Sequence, residues 1–265
     1  MFARHRVALA VLVAATALAA CTPGGTPSPS PDAPTSTDAP TSTAPPTTSP
    51  SGSPTPSPSG QAITIRSPRE GETVSVPFTV SGESDTFESA LTIDAVDASG
   101  MVACVRQLTA TSGGGTPGTW EGVLAFPPEE NPLAVTLRAY TYSQVDGSMT
   151  DLVEFPITVA PDRPLIIMTN PRCGDVYAPG GPLILTGTAA LFEAALTIEL
   201  RDSSGTPLVT VPVTAEECCV ESQFTSTLTI PADLASGFYD VVAYSLNAAD
   251  GSVENEFAVQ IDVRA

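Results

Sequence analysis

The sequence predicts an all-β chain of two tandem β-sandwiches behind a disordered Pro/Ser/Thr-rich linker. Three observations predict it. A 14-residue stretch occurs twice, Phe87 to Gly100 and Phe192 to Gly205, at a constant offset of 105 with nine positions identical. That period is too long for a solenoid repeat and fits duplication of one small domain. Second, the segments between landmarks are short, rich in Val, Ile, Leu, Thr and Tyr, and separated by turn residues every 8 to 15 positions, the pattern of strands and hairpins. Third, no segment carries the 3.6-residue period of an amphipathic helix.

The first element is residues 1–20. Arg4, His5 and Arg6 precede a 14-residue run of Ala, Val and Leu with one Thr, Val7 to Ala20. A positive start and a short apolar run make a signal peptide rather than a membrane span. It ends in Leu18-Ala19-Ala20-Cys21, which resembles the bacterial lipobox, where cleavage leaves an acylated Cys. The resemblance implies lipidation at Cys21 and a protein held by its acyl chains, anchored to the outer face of the bacterial cell membrane. Residues 21–61 follow, almost wholly Pro, Ser, Thr, Gly and Ala. Without larger apolar side chains this stretch cannot bury a core, and it reads as a passive, extended tether.

Charge and composition bound what the rest can do. The chain has 265 residues, no Lys, ten Arg and 29 acidic residues, for a net charge of −19. Loss of residues 1–20 takes it to −21 and removes the only His, His5. Phosphate backbones and anionic lipid surfaces repel such a chain, so no nucleic acid partner is expected. Without His or Lys, Ser–His and Cys–His pairs and Schiff bases cannot be built. The expectation is a protein that is not an enzyme and uses no cofactor.

Domain one is expected over residues 62–160 and domain two over 165–264, joined by Pro161-Asp162-Arg163-Pro164. The two prolines make a short, stiff hinge, from which end-to-end stacking is expected. Landmarks recur in both domains: Pro68-Arg69 with Pro171-Arg172, Gly82 with Gly187, Trp120 with Phe224, Ala139-Tyr140 with Ala243-Tyr244, and Asp146-Gly147-Ser148 with Asp250-Gly251-Ser252. About seven strands in about 100 residues suggest sandwiches of immunoglobulin type. The segment Leu183 to Leu200 is apolar and 18 residues long, but Gly187, Glu193 and its alternation favour strands over a membrane helix.

Taken together, Pro-x-x-Gly after the first strand, Gly82 and Gly187, Phe87-Glu88 and Phe192-Glu193, Asp97 and Asp202 with their glycines, Trp120-Glu121-Gly122 and the Asp-Gly-Ser turns resemble the immunoglobulin-like domain of bacterial spore germination proteins. The resemblance covers two copies, about residues 63–263. Copy two departs from it at Phe224-Thr225-Ser226, which keeps an aromatic residue and loses the glycine. The resemblance implies an immunoglobulin-like fold and supplies no catalytic residues.

Four cysteines remain after Cys21: Cys104, Cys173, Cys218 and Cys219. An even number outside the cytoplasm favours disulfides. A bridge within domain two, from Cys173 to one of the adjacent pair, is the first expectation; a bridge from Cys104 that staples the domains together is the second. Their spacing is not that of a zinc site. Asp94, Asp97 and Ser99 lack the full Asp-x-Asp-x-Asp-Gly calcium pattern, so no metal site is assigned. Glu88 and Glu193 are read as exposed or turn-bonded carboxylates beside a core Phe, with a repeated binding contact as the alternative. Trp120, the single Trp, is read as packed core rather than a sugar platform, given its match to Phe224.

These readings combine into a lipid-anchored, extracytoplasmic protein whose two domains bind or scaffold an unknown envelope protein. The alternative is a carbohydrate- or peptidoglycan-binding accessory lipoprotein that meets cell-wall glycan. That alternative requires Trp120, Tyr140 and Tyr142 aligned in solvent.

Overall fold

The protein is described by a computed structural model over residues 62–265. The signal segment 1–20, the lipidation residue Cys21 and the linker 21–61 lie outside the described residues. The first sandwich holds β1 (Ile63–Ser67), β2 (Thr73–Val74), β3 (Phe78–Ser84), β4 (Ala90–Asp97), β5 (Val102–Thr109), β6 (Gly118–Leu124), β7 (Leu133–Tyr142) and β8 (Met149–Val159). The second repeats the series as β9 (Ile166–Asn170), β10 (Val176–Tyr177), β11 (Pro182–Ala189), β12 (Ala195–Arg201), β13 (Pro207–Thr214), β14 (Ser222–Thr229), β15 (Gly237–Leu246) and β16 (Val253–Val263). Each sandwich packs a three-stranded sheet, β1-β3-β6 or β9-β11-β14, on a five-stranded one, β2-β8-β7-β4-β5 or β10-β16-β15-β12-β13.

Each sandwich has eight strands rather than about seven because the first strand divides. After the cis peptides Ser67–Pro68 and Asn170–Pro171 the chain leaves the three-stranded sheet. Its continuation, β2 or β10, then pairs in parallel with the last strand, β8 or β16. Proline has no amide hydrogen for the ladder, so the crossover falls where the sequence cannot pair. The segment Leu183 to Leu200 is β11, a tight turn and nearly all of β12.

The core follows the two-residue period of the strands. In β3, Phe78, Val80 and Gly82 point inward opposite Leu124, Gly122 and Trp120 of β6. Gly82 is required there: a Cβ on it would lie 1.9 Å from the Thr64 carbonyl oxygen and 2.6 Å from the Trp120 ring. Gly187 repeats the arrangement under Phe224, with 2.1 Å to the Ile167 carbonyl and 2.5 Å to the ring. An aromatic ring laid across a strand glycine fills the gap left by the missing side chain. Trp120 is accordingly buried at 3 % exposure, the packed position its repeat partner implied.

Turns are tied by the repeated acids. The Asp97 carboxylate accepts from the Ser99 amide and hydroxyl and from the Met101 amide. Asp202 makes the same three bonds with Ser204 and Thr206. Bonds from Ser99 and Ser204, respectively, hold both carboxyls below their ordinary pKa. Asp94 is not part of that loop. It lies on β4 with its carboxylate gripped by Arg138, so Asp94, Asp97 and Ser99 do not converge on one point.

The two sandwiches belong to one compact unit, and they meet edge on face rather than end to end. In β5, Cys104, Arg106 and Leu108 stand opposite the core residues Ala95, Ile93 and Leu91. They therefore face the open edge between the sheets of the first sandwich. The outer face of β15 and β16 closes that edge. Arg106 Nη2 donates to Asp240 Oδ2 at 2.5 Å. The Gln107 amide donates to Gln260 Oε1 at 2.7 Å, and Gln260 Nε2 donates back to the Gln107 carbonyl at 3.1 Å. The Gln260 side chain thus serves as ladder partner for an edge strand that would otherwise present unpaired groups. Burial pushes the Asp240 carboxyl up in spite of Arg106.

A disulfide joins Cys104 to Cys173, 69 residues apart and across the domain boundary. This corrects the first expectation of a bridge within domain two. Cys218 and Cys219 are free and exposed, because they sit in the β13–β14 loop while Cys173 is packed against domain one through the bridge.

Candidate functional site

The repeated Phe-Glu stretch is where the structure departs most from expectation. Phe87 and Phe192 are not core residues: they are 72 % and 75 % exposed. Each begins a three-residue 3-10 turn, Phe87–Ser89 and Phe192–Ala194, ahead of β4 and β12. In both copies the next two residues are left-handed without being glycine, Glu88 and Ser89 at φ 56° and 60°, Glu193 and Ala194 at 61° and 54°. Such residues cost about 1–3 kcal/mol each in strain. Here that conformation turns the Phe ring out of the sandwich and exposes both Glu88 and Glu193. The β5–β6 and β13–β14 loops brace the turns, Gly114 donating to the Thr86 carbonyl and Cys219 to the Leu191 carbonyl.

Each exposed Phe walls one side of a groove across the end of the five-stranded sheet. In the first copy the groove is lined by Phe87, Glu88, Leu91, Thr92, Gln107, Tyr142, Thr150 and Asp151. In the second, the positions in matching register are Phe192, Glu193, Leu196, Thr197, Pro212, Leu246, Glu254 and Asn255. The far wall is also backbone-strained in both, with Asp151 at φ 55° and Asn255 at 57°. The copies differ in chemistry. Tyr142 and Gln107 narrow the first groove to about 280 Å³ and give it polar walls. Leu246 and Pro212 leave the second at about 730 Å³, with Leu165 and Leu191 added to its apolar side chains. Each groove is lined by two acidic residues and no basic one.

A buried carboxylate stiffens the sheet beside each groove floor. Asp94 receives Arg138 through Nε and Nη2 at 2.7 and 2.6 Å and the Tyr140 hydroxyl at 3.0 Å. Glu199, its counterpart on β12, receives Arg201 Nε at 2.7 Å and the Tyr244 hydroxyl at 2.9 Å. The arginine comes from β7 in one copy and from β12 itself in the other, yet the carboxylate–tyrosine pair is kept. Asp94 holds the Arg138 guanidinium above its ordinary pKa, and burial pushes the Tyr140 and Tyr244 phenols up. These groups are satisfied by one another and offer no free acid or base.

Of the residues singled out in sequence, Glu88 and Glu193 lie on the groove rims, while Trp120 is sealed in the core. Tyr140 is buried at 3 % and only Tyr142, at 49 %, reaches solvent. The aligned aromatic strip required for a sugar platform is therefore absent. Sequence reasoning missed the far wall of each groove and the carboxylate–tyrosine pairs. The signal was there in part: Asp94 and Glu199 share a repeat position, as do Tyr140 and Tyr244. Among the described residues no cluster of three or more His, Cys, Asp or Glu has metal-binding geometry, and no helix is long and apolar enough to cross a membrane.

No curated protein matches the chain. Solved structures that resemble it include fibronectin(III)-like modules of Clostridium thermocellum CbhA, at 15 % identity over 76 % of this chain and 94 % of that one, with a TM-score of 0.26. The ICAM-5 D1–D4 ectodomain fragment is similar at 16 % identity over 76 % of this chain and 53 % of that one, TM-score 0.25. An engineered protein matches at 16 % identity and TM-score 0.29 over 41 % of this chain, which spans 22 % of the engineered one. The model of one family, the immunoglobulin-like domain of bacterial spore germination, matches residues 62–148 and again 165–252, and the chain belongs to that family in two tandem copies.

Proposed function

We propose that this is a lipid-anchored protein of the bacterial cell envelope, held to the outer face of the membrane through Cys21, whose two immunoglobulin-like domains bind or scaffold a partner without chemistry of their own. The observation that carries the binding reading is the duplicated groove with its outward-turned Phe. The two copies of the domain have diverged at the groove walls, yet both keep the strained turn that exposes the ring. A non-catalytic role is supported by the side chains available. Residues 62–265 contain no His and no Lys, and the buried carboxylates Asp94 and Glu199 are already engaged by Arg and Tyr. A glycan-binding role has less support, since Trp120 and Tyr140 are buried.

Two experiments test the two halves of this reading. Cys21→Ser should move the protein from the membrane fraction to the soluble one, since acyl chains are the only anchor invoked; retention with membranes refutes the anchor. In cells, photo-crosslinking from position 88 or 193 should yield a discrete adduct that Phe87→Ala together with Phe192→Ala abolishes. An adduct indifferent to both rings would remove the grooves as the binding site.

A further inference from the structure

Resting on the binding reading above, we propose that the groove of the second sandwich is the docking site for an extended peptide segment of a partner protein, one that carries apolar side chains beside Lys or Arg. Three features define the occupant. The first is the lining: Phe192, Leu246 and Leu165 are 75 %, 56 % and 47 % exposed and share the groove with Pro212. Exposed apolar area gathered in a concave site gains most from burying apolar side chains. The second is charge. Glu193 and Glu254 stand in the lining with no basic residue among its members, on a chain whose net charge is −19. Cationic side chains meet complementary charge at the rim, and the Phe192 face adds a cation–π surface. The third is width. With Leu246 where the first copy has Tyr142, and Pro212 where it has Gln107, the groove opens to about 730 Å³, enough for a few residues of extended chain.

The same features count against other occupants. A second copy of this chain has no Lys and a large negative charge, so it meets repulsion at the rim. Anionic lipid headgroups meet the same repulsion. Sugar rings stack on aromatic platforms, and Phe192 is the one aromatic ring in this lining, facing Leu165, Pro212 and Leu246 as well as polar side chains. The first groove, narrower at about 280 Å³ and with Gln107 and Tyr142 where the second has Pro212 and Leu246, is not included.

The test uses the full-length acylated chain in detergent and fluorescein-labelled decapeptides read by anisotropy. An alternating Lys-Leu peptide should bind, and its Glu-Leu and Lys-Ser counterparts should bind at least tenfold more weakly. Phe192→Ala should weaken the Lys-Leu peptide about tenfold, as removal of a central aromatic anchor does. Phe87→Ala should leave it unchanged. Glu193→Gln with Glu254→Gln should weaken it and flatten its salt dependence. These side chains are exposed, so unchanged melting temperatures will show that the variants fold. Equal binding of the Lys-Ser peptide, or indifference to Phe192→Ala, would mean diffuse attraction to an acidic surface and overturn the proposal. Phe192-dependent binding of muropeptide or of phosphatidylglycerol vesicles in place of the peptide would overturn it too. Failure of the peptide while the crosslinked adduct still depends on Phe87 and Phe192 removes this occupant and leaves the binding reading standing.

Discussion

At the scale of single residues, two glycines and the rings over them hold the sandwiches closed. A methyl group on Gly82 or Gly187 meets a backbone carbonyl at about 2 Å, and backbone cannot swing aside as a side-chain tip can. Gly82→Ala and Gly187→Ala should each destabilise the chain by about 3 kcal/mol, at the upper end of ordinary overpacking, measured by urea unfolding. An unchanged midpoint would show that the ring–glycine pair is not what fixes the sheet spacing. This pairing was legible in the sequence, because Gly82 with Trp120 and Gly187 with Phe224 recur at matching positions. The lost glycine of copy two has a legible cause only with the structure in hand. A Cβ on Gly122 would lie 2.8 Å from the Leu108 side chain; copy two has Ser226 there, and the smaller Val213 in place of Leu108. Phe87 and Phe192 were not legible as surface residues. An aromatic residue beside an apolar strand ordinarily packs inward, and nothing in Glu-Ser or Glu-Ala announces two successive left-handed residues.

At the scale of elements, matching turns and strands have been put to different uses. The β5–β6 loop carries Gly113-Gly114 where the β13–β14 loop carries Cys218-Cys219, and Gly114 and Cys219 share a φ of 66°. A thiol pair therefore occupies a conformation that the first copy gives to glycine. The Cys218 thiol beside it pushes the Cys219 thiol up, which slows its reaction as a nucleophile at neutral pH. In the native Cys21→Ser protein, a thiol reagent should titrate two groups; after reduction in denaturant it should titrate four. No native thiol would mean that Cys218 and Cys219 are bridged and would refute the free pair. The strands tell a similar story. Val209, Val211 and Val213 of β13 keep one apolar face, whereas the equivalent face of β5 is Cys104, Arg106 and Leu108. That break in an otherwise shared pattern marks the strand that meets another domain. It could be read from the aligned repeats alone, but its partner strand could not, since Asp240 and Gln260 are ordinary outward residues of β15 and β16.

At the scale of the molecule, duplication has produced a pair of sandwiches fixed to one another rather than two beads on a hinge. The Cys104–Cys173 bridge closes a 69-residue separation over the Arg106–Asp240 and Gln107–Gln260 contacts. Chain-entropy reasoning assigns a loop of that length about 4 kcal/mol of stabilisation, through loss of freedom in the unfolded chain. The staple also couples the domains, since unfolding one strips the cover from the open edge of β5 or from the outer face of β15 and β16. Cys104→Ser with Cys173→Ser should therefore lower stability by about that amount and split the unfolding. Calorimetry of the wild-type chain should give one cooperative transition, and the double variant two, one per sandwich, because each keeps its own core. Added reductant should reproduce the split in the wild type and leave the variant unchanged. A single transition in every one of these samples would show that the noncovalent interface suffices and that the bridge only adds stability. The distinction bears on binding, because a partner that engages both grooves at once gains effective concentration only while their separation is held. Loss of the bridge should then weaken such a partner while leaving the affinity of a single groove for the Lys-Leu peptide intact.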